Sequence, residues 1–250
     1  MKKLTSLIAV FAAFFSVNAN AGVELGYKFL NMDTEAFYRI GDDGVKSNYE
    51  SDLHVVEFDY EHPVGKFLFI VGYDASISDA GSKFESVYLA NDISENPKQM
   101  DYSRWNVGFG QRVYDGMGKY KVEVFGQYVD ADLSQASSKL SDIGVNLATE
   151  YRMYLEKVFL GFEVSGQIMR TSYESSLHSV NTDIATTSVG IGFEPYIGYA
   201  FTPNLDVMIS YIFNHQESVY NDEDDEDENI RFEDITQDFK GVTAMLEYRF

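Results

Sequence analysis

The last ten residues constrain the fold of this chain more than any other stretch. In residues 241–250 (GVTAMLEYRF) every second side chain counted back from the end is apolar: Phe250, Tyr248, Leu246, Ala244 and Val242. A period of two is that of a β-strand, in which successive side chains point to opposite faces. We therefore predict a strand with one apolar and one polar face.

The first 21 residues have the features of an export signal. Lys2 and Lys3 precede the short apolar run Leu7–Phe15, and Ala19-Asn20-Ala21 has the small-x-small pattern of a cleavage site. The apolar run is too short for a membrane-spanning helix, which needs about 20 apolar residues. We predict a signal peptide over residues 1–21, cleaved after Ala21, rather than an N-terminal helix of the mature fold.

The composition excludes several classes of function. The net charge is −21 and the pI is about 4.4, so the chain repels nucleic acid. There is no cysteine, which excludes disulfides and thiolate chemistry. Mean hydropathy is −0.22, and no later segment approaches 18 consecutive apolar residues, so a transmembrane helix is excluded. Aromatic residues make up 15% of the chain, as suits strands and the aromatic girdles of membrane barrels.

The rest of the chain alternates between strand patterns and polar stretches. We predict ten strands, at about residues 22–30, 53–61, 66–77, 102–114, 119–130, 143–155, 158–171, 187–200, 205–215 and 241–250. Long connections are predicted at 31–51, 78–101, 131–142, 172–186 and 216–238, and they alternate with short turns at 62–65, 115–118, 156–157 and 202–204. This alternation places both chain ends on one side and requires an even number of strands.

Strand number and domain number follow from this division. Ten strands leave room for spans of about 9–11 residues each. Eight strands would result if two weaker segments were loop, and twelve if Phe84–Leu89 began a further hairpin. Because an open sheet edge in lipid leaves backbone groups unsatisfied, the strands must close on one another. We therefore predict one domain, residues 22–250, that forms an all-β, antiparallel, up-and-down barrel.

The polar faces of these strands are unusually rich in charge. They carry acids and bases of both signs together with many of the glycines. The charged positions are Glu24, Lys28, Glu57, Asp59, Asp74, Arg104, Arg112, Lys121, Glu123, Glu150, Arg152, Glu163, Glu194, Glu247 and Arg249. We predict that the charged face lines the lumen, where acids and bases pair and largely plug it, because unpaired charges there would be costly. The alternative is a soluble, lipocalin-like barrel, whose lumen should be apolar.

The chain resembles small outer-membrane β-barrel proteins, in the broad OmpA-like or porin-family group. The features that carry this resemblance are the export signal, the alternating strands and the terminal Tyr248-Arg249-Phe250. Such barrels close with an aromatic-x-Phe strand that acts as an assembly signal. The resemblance implies location in the bacterial outer membrane, with Tyr248 and Phe250 recognised by the barrel-assembly machinery. It also implies contact with outer-membrane lipid and lipopolysaccharide, a monomeric state and no cofactor.

One local feature is conspicuous: the acidic run Asp222, Glu223, Asp224, Asp225, Glu226, Asp227 and Glu228. Its carboxylates could associate weakly with Ca²⁺ or Mg²⁺. It lacks the spaced ligands and central glycine of an EF-hand loop. We interpret it as a solvated, self-repelling loop and predict no metal site.

Short stretches of the sequence have spacings like the catalytic pairs of two families of barrel enzymes. Omptin proteases use Asp-x-Asp and Asp-x-His pairs near the rim, and Asp130-Ala131-Asp132 and Asp52-Leu53-His54 have these spacings. By parity both pairs face outward, in the reverse of the omptin order. Lipid A deacylases need His-x-Ser, which His178-Ser179 does not supply. His62 falls in a turn, and His215 has no evident Ser or Asp partner. We therefore predict no catalytic residues and no enzymatic activity.

The sequence thus favours a membrane barrel that acts through its loops, with a closed or narrowly conducting lumen. The alternative is a small channel for ions or small solutes. A barrel enzyme acting on peptides or lipid A is the third hypothesis.

Overall fold

The structure is a computed structural model, and it describes residues 21–40, 43–88, 91–95, 100–114, 118–133, 138–175, 182–219 and 230–250. The export signal, apart from Ala21, lies outside these residues, and so does the acidic run 222–228. The signal peptide and the domain bounds therefore stay predictions. No helix among the described residues is long and apolar enough to cross a membrane.

Eleven antiparallel strands make up the described fold. They are β1 (Gly22–Ile40), β2 (Asp43–Val64), β3 (Phe67–Tyr88), β4 (Asn91–Glu95), β5 (Asp101–Tyr114), β6 (Gly118–Leu133), β7 (Ser138–Leu155), β8 (Val158–Ser175), β9 (Thr182–Thr202), β10 (Leu205–Val219) and β11 (Ile230–Arg249). All except β4 pair with both neighbours, and β11 pairs with β1, so ten strands form a closed barrel. The predicted ten-stranded, all-β, up-and-down barrel is confirmed.

The short strand β4 explains the twelve-strand alternative. It pairs only with the end of β3, from Phe84 opposite Glu95 to Tyr88 opposite Asn91. A hairpin does begin near Phe84, as that alternative supposed. It lengthens the wall beside β3 and adds no strand to the closed barrel.

The barrel closes along the whole length of its first and last strands. The β1–β11 register runs from Gly22 opposite Arg249 to Ile40 opposite Ile230, with one irregularity at Phe37/Tyr38. Beyond the strand, the Phe250 amide donates a hydrogen bond to the Ala21 carbonyl at 2.9 Å. The terminal strand pattern from which the prediction began is therefore the closing seam.

One barrel end, called the turn end here, carries both chain ends and the short connections. Residues 65–66, 156–157 and 203–204 form the tight turns predicted there. Gly65 adopts φ +65°, in the left-handed region that glycine enters without strain. The other end, the loop end, carries the long connections.

A band of exposed apolar side chains surrounds the barrel near the turn end. In β1, Leu25, Tyr27 and Phe29 are 42–49% exposed, whereas Gly26 and Lys28 between them are buried. We call this band the belt; it includes Val56, Trp105, Val107, Phe109, Val122, Val124, Val145, Leu147, Leu160, Phe162, Val164, Ile191, Phe193, Ile197, Ile209, Tyr211, Val242 and Leu246. The apolar outer surface of these strands matches the lipid-facing band of membrane barrels.

Toward the loop end the two faces exchange character. In β1 the outward side chains become Asn31, Asp33 and Glu35, while Met32 and Ala36 are 1% exposed inside. We call this part the extension: 31–40 of β1, 43–54 of β2, 76–88 of β3, β4, 129–133 of β6, 138–142 of β7, 169–175 of β8, 182–188 of β9, 214–219 of β10 and 230–240 of β11. Its faces are those of a water-soluble barrel.

The extension corrects the prediction of long loops. Most of 31–51, 78–101, 131–142, 172–186 and 216–238 that the structure describes is strand. The two-residue alternation of polar and apolar side chains continues through these stretches, but the apolar side chains move to the other face of the sheet. Because the prediction followed the apolar residues of one face, it ended each strand at the point where the apolar residues move to the other face.

Candidate functional site

The lumen of the belt contains three linked groups of ion pairs. In the first, Lys28 Nζ lies 2.6 Å from Glu57 Oε1 and 3.2 Å from Asp74 Oδ2. Arg104 lies 2.7 Å from the same oxygen of Asp74. Glu57, Asp74 and Arg104 lie opposite one another on β2, β3 and β5, so the sheet register brings the acids and the base together.

The second group is centred on Lys121. Its Nζ lies 3.0 Å from both Glu61 Oε1 and Glu123 Oε1, and 3.5 Å from Glu150 Oε2. Arg112 also pairs with Glu61. Lys121 is 9% exposed, so it crosses the lumen between carboxylates rather than reaching water.

The third group is centred on Arg152, which is 2% exposed. Its guanidinium lies 2.6 Å from Glu247 Oε2, 3.1 Å from Glu150 Oε1 and 3.4 Å from Asp206 Oδ2. The central carbon of this guanidinium, Cζ, lies 4.7 Å from the ring centre of Phe159 and 5.3 Å from that of Tyr196. Arg249 pairs with Asp206 and Glu247 as well. Arg152 therefore ties β7 to β10 and β11 across the lumen.

Glycines on the inner face leave space for these long side chains. A Cβ on Gly26 would lie 2.5 Å from Glu57 Oε2, and one on Gly72 would lie 2.2 Å from Asp59 Oδ1. Any larger residue would displace the carboxylates. This explains why glycine and charge alternate on neighbouring strands.

A cavity of about 160 Å³ lies among these groups. Glu24, Asp59 and Glu163 line it, and none of the three has an ion pair with another described residue. Glu24 lies between Asp59 of β2 and Glu247 of β11 in the sheet register. The belt lumen is thus filled by paired charges, with an excess of acid around the space that remains.

A layer of hydrogen-bonded polar side chains separates the charged lumen of the belt from the interior of the extension. The Asp142 carboxylate accepts hydrogen bonds from Thr171 Oγ1 at 2.5 Å, Gln237 Nε2 at 3.2 Å and Gln216 Nε2 at 3.3 Å. Gln216 also accepts one from Gln167 at 2.7 Å. These side chains come from β7, β8, β10 and β11, so the layer spans the lumen.

Beyond this layer the lumen is filled by an apolar core. Tyr49 and Tyr173 hydrogen bond through their hydroxyls at its centre, and Tyr38 packs on Tyr173 with ring centres 6.2 Å apart. The remaining members are Leu30, Met32, Ala36, Val45, Leu53, Val55, Met100, Tyr102, Val129, Ala131, Leu140 and Ile235. The core thus packs described side chains of β1, β2, β5, β6, β7, β8 and β11 together inside this end of the barrel.

The structure brings most of the charges proposed for the lumen into contact: Glu57, Arg104, Arg112, Lys121, Glu123, Glu150, Arg152, Glu247 and Arg249 have the pairs described above. Asp59 and Glu163 face the cavity instead. The sequence analysis missed Glu61, Lys119 and Asp206, which also take part. Glu61 lies two residues after Asp59 and Lys119 two residues before Lys121, and Asp206 lies on the polar face of the strand predicted at 205–215, so the same period of two would have found all three.

The residues of the assembly signal lie outside the barrel. Tyr248 and Phe250 are 44% and 39% exposed, and their rings contact edge to face with centres 5.0 Å apart. They lie at the turn end of the closing seam. Their proposed role in assembly stays a prediction.

The omptin-like pairs do not face a common cleft. Asp52 and His54 lie on the outer face of β2, where Asn31 donates to Asp52 at 3.0 Å and His54 contacts Tyr27. Asp130 pairs with Lys139 at 3.1 Å on the outside of β6, which is separated from β2 by β3 and β5. These pairs therefore cannot act together on one substrate.

The other histidines are placed as follows. His62 stacks on Tyr60, and His178 and Ser179 lie outside the described residues. His215 does have an acidic partner, contrary to the sequence analysis: its Nδ1 lies 2.7 Å from Asp238 Oδ1. Among the described residues no group of His, Cys, Asp or Glu could hold a metal ion.

The sequence matches no protein-family model and no curated protein. The fold is similar to that of solved outer-membrane barrels. The outer membrane protease OmpT from Escherichia coli matches with a TM-score of 0.64 and 9% identity, covering 92% of this chain and 97% of that chain. Neisserial surface protein A (NspA) matches with 0.33 and 11%, covering 92% and 97%. The toluene transporter TodX of P. putida matches with 0.36 and 9%, covering 93% and 90%.

These comparisons contradict the prediction of no enzymatic activity, and they support the barrel fold without supporting the narrower family assignment. The prediction of no enzymatic activity is wrong as an inference from the architecture, because OmpT, with a TM-score of 0.64, is a protease. At 9% identity that likeness shows the fold and transfers no catalytic residue. The narrower OmpA-like or porin-family assignment stays a prediction, since no family model matches. The chain has the fold of the outer-membrane β-barrels.

Proposed function

We propose that this protein is an integral outer-membrane protein with a closed lumen, and that it acts at the cell surface through the outside of its extension. The observation that carries this proposal is the apolar core inside the extension. That core fills the lumen with Tyr, Leu, Met and Val side chains, while polar side chains cover the outside.

Two barriers oppose conduction. In the belt, an ion would have to displace hydrogen-bonded ion pairs such as those of Arg152 and Lys121. In the extension, it would have to lose its hydration among apolar side chains, at a cost of several kcal/mol or more. The two barriers lie in series, so neutralising the charges of the belt leaves the second intact.

The orientation follows the general pattern of such barrels, in which short turns are periplasmic and long loops extracellular. The turn end would then face the periplasm, where Tyr248 and Phe250 would meet the assembly machinery. The extension would project beyond the outer leaflet. A rigid, β-structured projection of this kind is suited to binding a partner.

Single cysteines test this arrangement, because the chain has none to remove. Asn48→Cys lies on the outer face of the extension, and Ser51→Cys lies on its inner face, where the serine is 1% exposed. Val107→Cys lies on the outer face of the belt. In intact cells we expect a membrane-impermeant thiol reagent to label only position 48. In bilayers, a lipid-phase quencher should reach only position 107.

Planar-bilayer recording provides the second measurement. We expect no steady openings from the wild-type protein or from an Arg104→Gln/Arg112→Gln variant. Steady cation-selective openings together with labelling of Ser51→Cys would contradict the proposal. They would favour a small channel, for which the acidic cavity of the belt would be the selective segment.

A further inference from the structure

The outer face of the extension has a small groove on β1, β2 and β11. Its volume is about 230 Å³, and it is lined by Glu35, Ala36, Phe37, Lys46 and Asp234. Pockets for drug-sized ligands start at about 300 Å³, so this groove has room for a single side chain.

Phe37 forms the aromatic wall of the groove. It lies between Lys46 of β2 and Asp234 of β11 in the sheet register. On this side of the extension, the other described outward residues of the three strands are polar or charged. A Cβ on Gly44 would lie 3.4 Å from the Phe37 ring, so the ring lies against that glycine, while the side chain is partly exposed and lines the groove.

The β-bulge beside Phe37 shapes the other wall. Pairing of β1 with β11 jumps from Phe37–Asp234 to Tyr38–Phe232, so Glu233 has no partner in the register. Glu233 instead pairs with Arg39. An extra residue in one strand of a pair bends that strand and redirects its side chains, which is a common way of shaping a binding surface.

The charges around the groove leave one carboxylate uncompensated. Lys46 Nζ is already 2.9 Å from Glu35 Oε2. Asp234 accepts a hydrogen bond from Ser218 Oγ at 3.0 Å, and no described cation lies within ion-pair distance of it. The groove therefore combines a partly exposed aromatic ring with an acid that has no counter-charge among the described side chains.

The surface below the groove adds to the negative potential. Asp33 lies directly between Glu50 of β2 and Asp238 of β11. Burial raises the pKa of Asp33, and the charges of Glu35, Glu50 and Asp238 raise it further, against the opposing charge of Lys240. A cationic partner would relieve this repulsion, whereas an acidic one would increase it.

We propose that this groove binds an arginine side chain of a basic polypeptide segment. The guanidinium would stack on Phe37 and pair with Asp234, because arginine combines a flat face for aromatic rings with a fork for carboxylates. The proposal rests on the proposed function, in that it names the chemistry of the partner that the extension would bind. The net charge of −21 favours the same partner by attraction at longer range.

The test uses the full folded barrel in lipid nanodiscs and a fluorescent nine-residue peptide of alternating glycine and arginine. Matched peptides carry lysine or glutamate in place of arginine. We expect binding of the arginine peptide by fluorescence anisotropy, weaker binding of the lysine peptide and none of the glutamate peptide. Binding of the glutamate peptide, or no binding of the arginine peptide, would overturn the proposal.

Variants separate the groove from diffuse attraction. Asp234→Asn should weaken arginine-peptide binding about threefold to tenfold, and Phe37→Leu about twofold to fivefold through loss of the aromatic face. Asp101→Asn is the matched control, because it removes one exposed charge on β5, away from the groove. An equal loss with Asp101→Asn would show diffuse attraction and contradict the groove.

Folding of each variant is checked by its heat-modifiable shift in gel electrophoresis before binding is measured. The peptide assay tests the groove and the cysteine assay tests the closed lumen, so each proposal can be contradicted without the other. A lumen that conducts would contradict the proposed function while leaving peptide binding intact. A closed barrel with no peptide selectivity would contradict only the groove.

Discussion

The belt and the extension are built from the same strands, yet each places its apolar side chains on the opposite face. In β1 the change occurs within three residues, since Phe29 is 42% exposed outward and Met32 is 1% exposed inward. The belt turns apolar side chains outward, as a lipid-facing surface does, and holds its charges inside, where they pair. The extension turns polar side chains outward and buries its apolar side chains, as a water-soluble protein does. The comparison teaches that surroundings, not strand geometry, decide which face is polar.

The largest difference should appear when one cation is removed from the belt. Arg152→Met leaves Glu150, Asp206 and Glu247 without their shared partner. We expect a loss of about 3–5 kcal/mol in the free energy of unfolding, measured in urea with detergent-folded protein. Arg39→Met, which breaks an exposed pair with Glu233 in the extension, should cost less than about 1 kcal/mol. Equal effects would remove the distinction between the two regions.

Truncation of the extension core should act locally. Leu53 is 0% exposed, and Leu53→Ala should destabilise by about 2–5 kcal/mol. Hydrogen exchange should rise in the loop-end halves of β1 and β2 while the belt stays protected. The control is Leu147→Ala, whose side chain is 53% exposed on the outer face of the belt. If exchange rose throughout the barrel, the extension would not be a separate layer.

The height at which the faces exchange can be located with lysine substitutions on one strand. Val242→Lys places a charge on the lipid face of β11 and should cost about 2–4 kcal/mol. Thr236→Lys lies on the same face of β11, six residues closer to the loop end, in the extension. It should change the free energy of unfolding by less than about 0.5 kcal/mol. Comparable losses at both positions would place the upper edge of the belt above residue 236.

The smallest expected effect is a gain in stability. The pKa of Asp33 is raised, so its ionised form weakens the folded state at pH values above that raised pKa. Asp33→Asn should therefore stabilise by about 0.2–1 kcal/mol at pH 7. The gain should disappear near pH 3, below the usual aspartate pKa of about 4, because Asp33 is then protonated in both states. Urea unfolding at the two pH values measures this. Glu174→Gln, which lies opposite Lys139, should give no gain.

The sequence predicts the belt well because one physical rule governs it. Apolar residues at every second position identify each strand, and the closing strand 241–250 sets the parity. The charged lumen follows from the same alternation. The apolar core could not be found this way, because Leu30, Met32 and Tyr38 lie on the face that was assigned to charges. The pairing of His215 with Asp238 and the bulge at Phe37 depend on register between strands, which no single strand specifies.

The meeting of Ala21 and Phe250 at the closing seam has a consequence for the order of the chain. Since the two residues are hydrogen bonded, a short linker could join them, and the chain could be reopened at any connection of the loop end. Such circular permutants would contain the same seams and the same two fillings of the lumen. Their terminal strand would no longer end in Tyr248-Arg249-Phe250, so they would separate what this motif contributes to delivery into the membrane from what it contributes to the finished barrel.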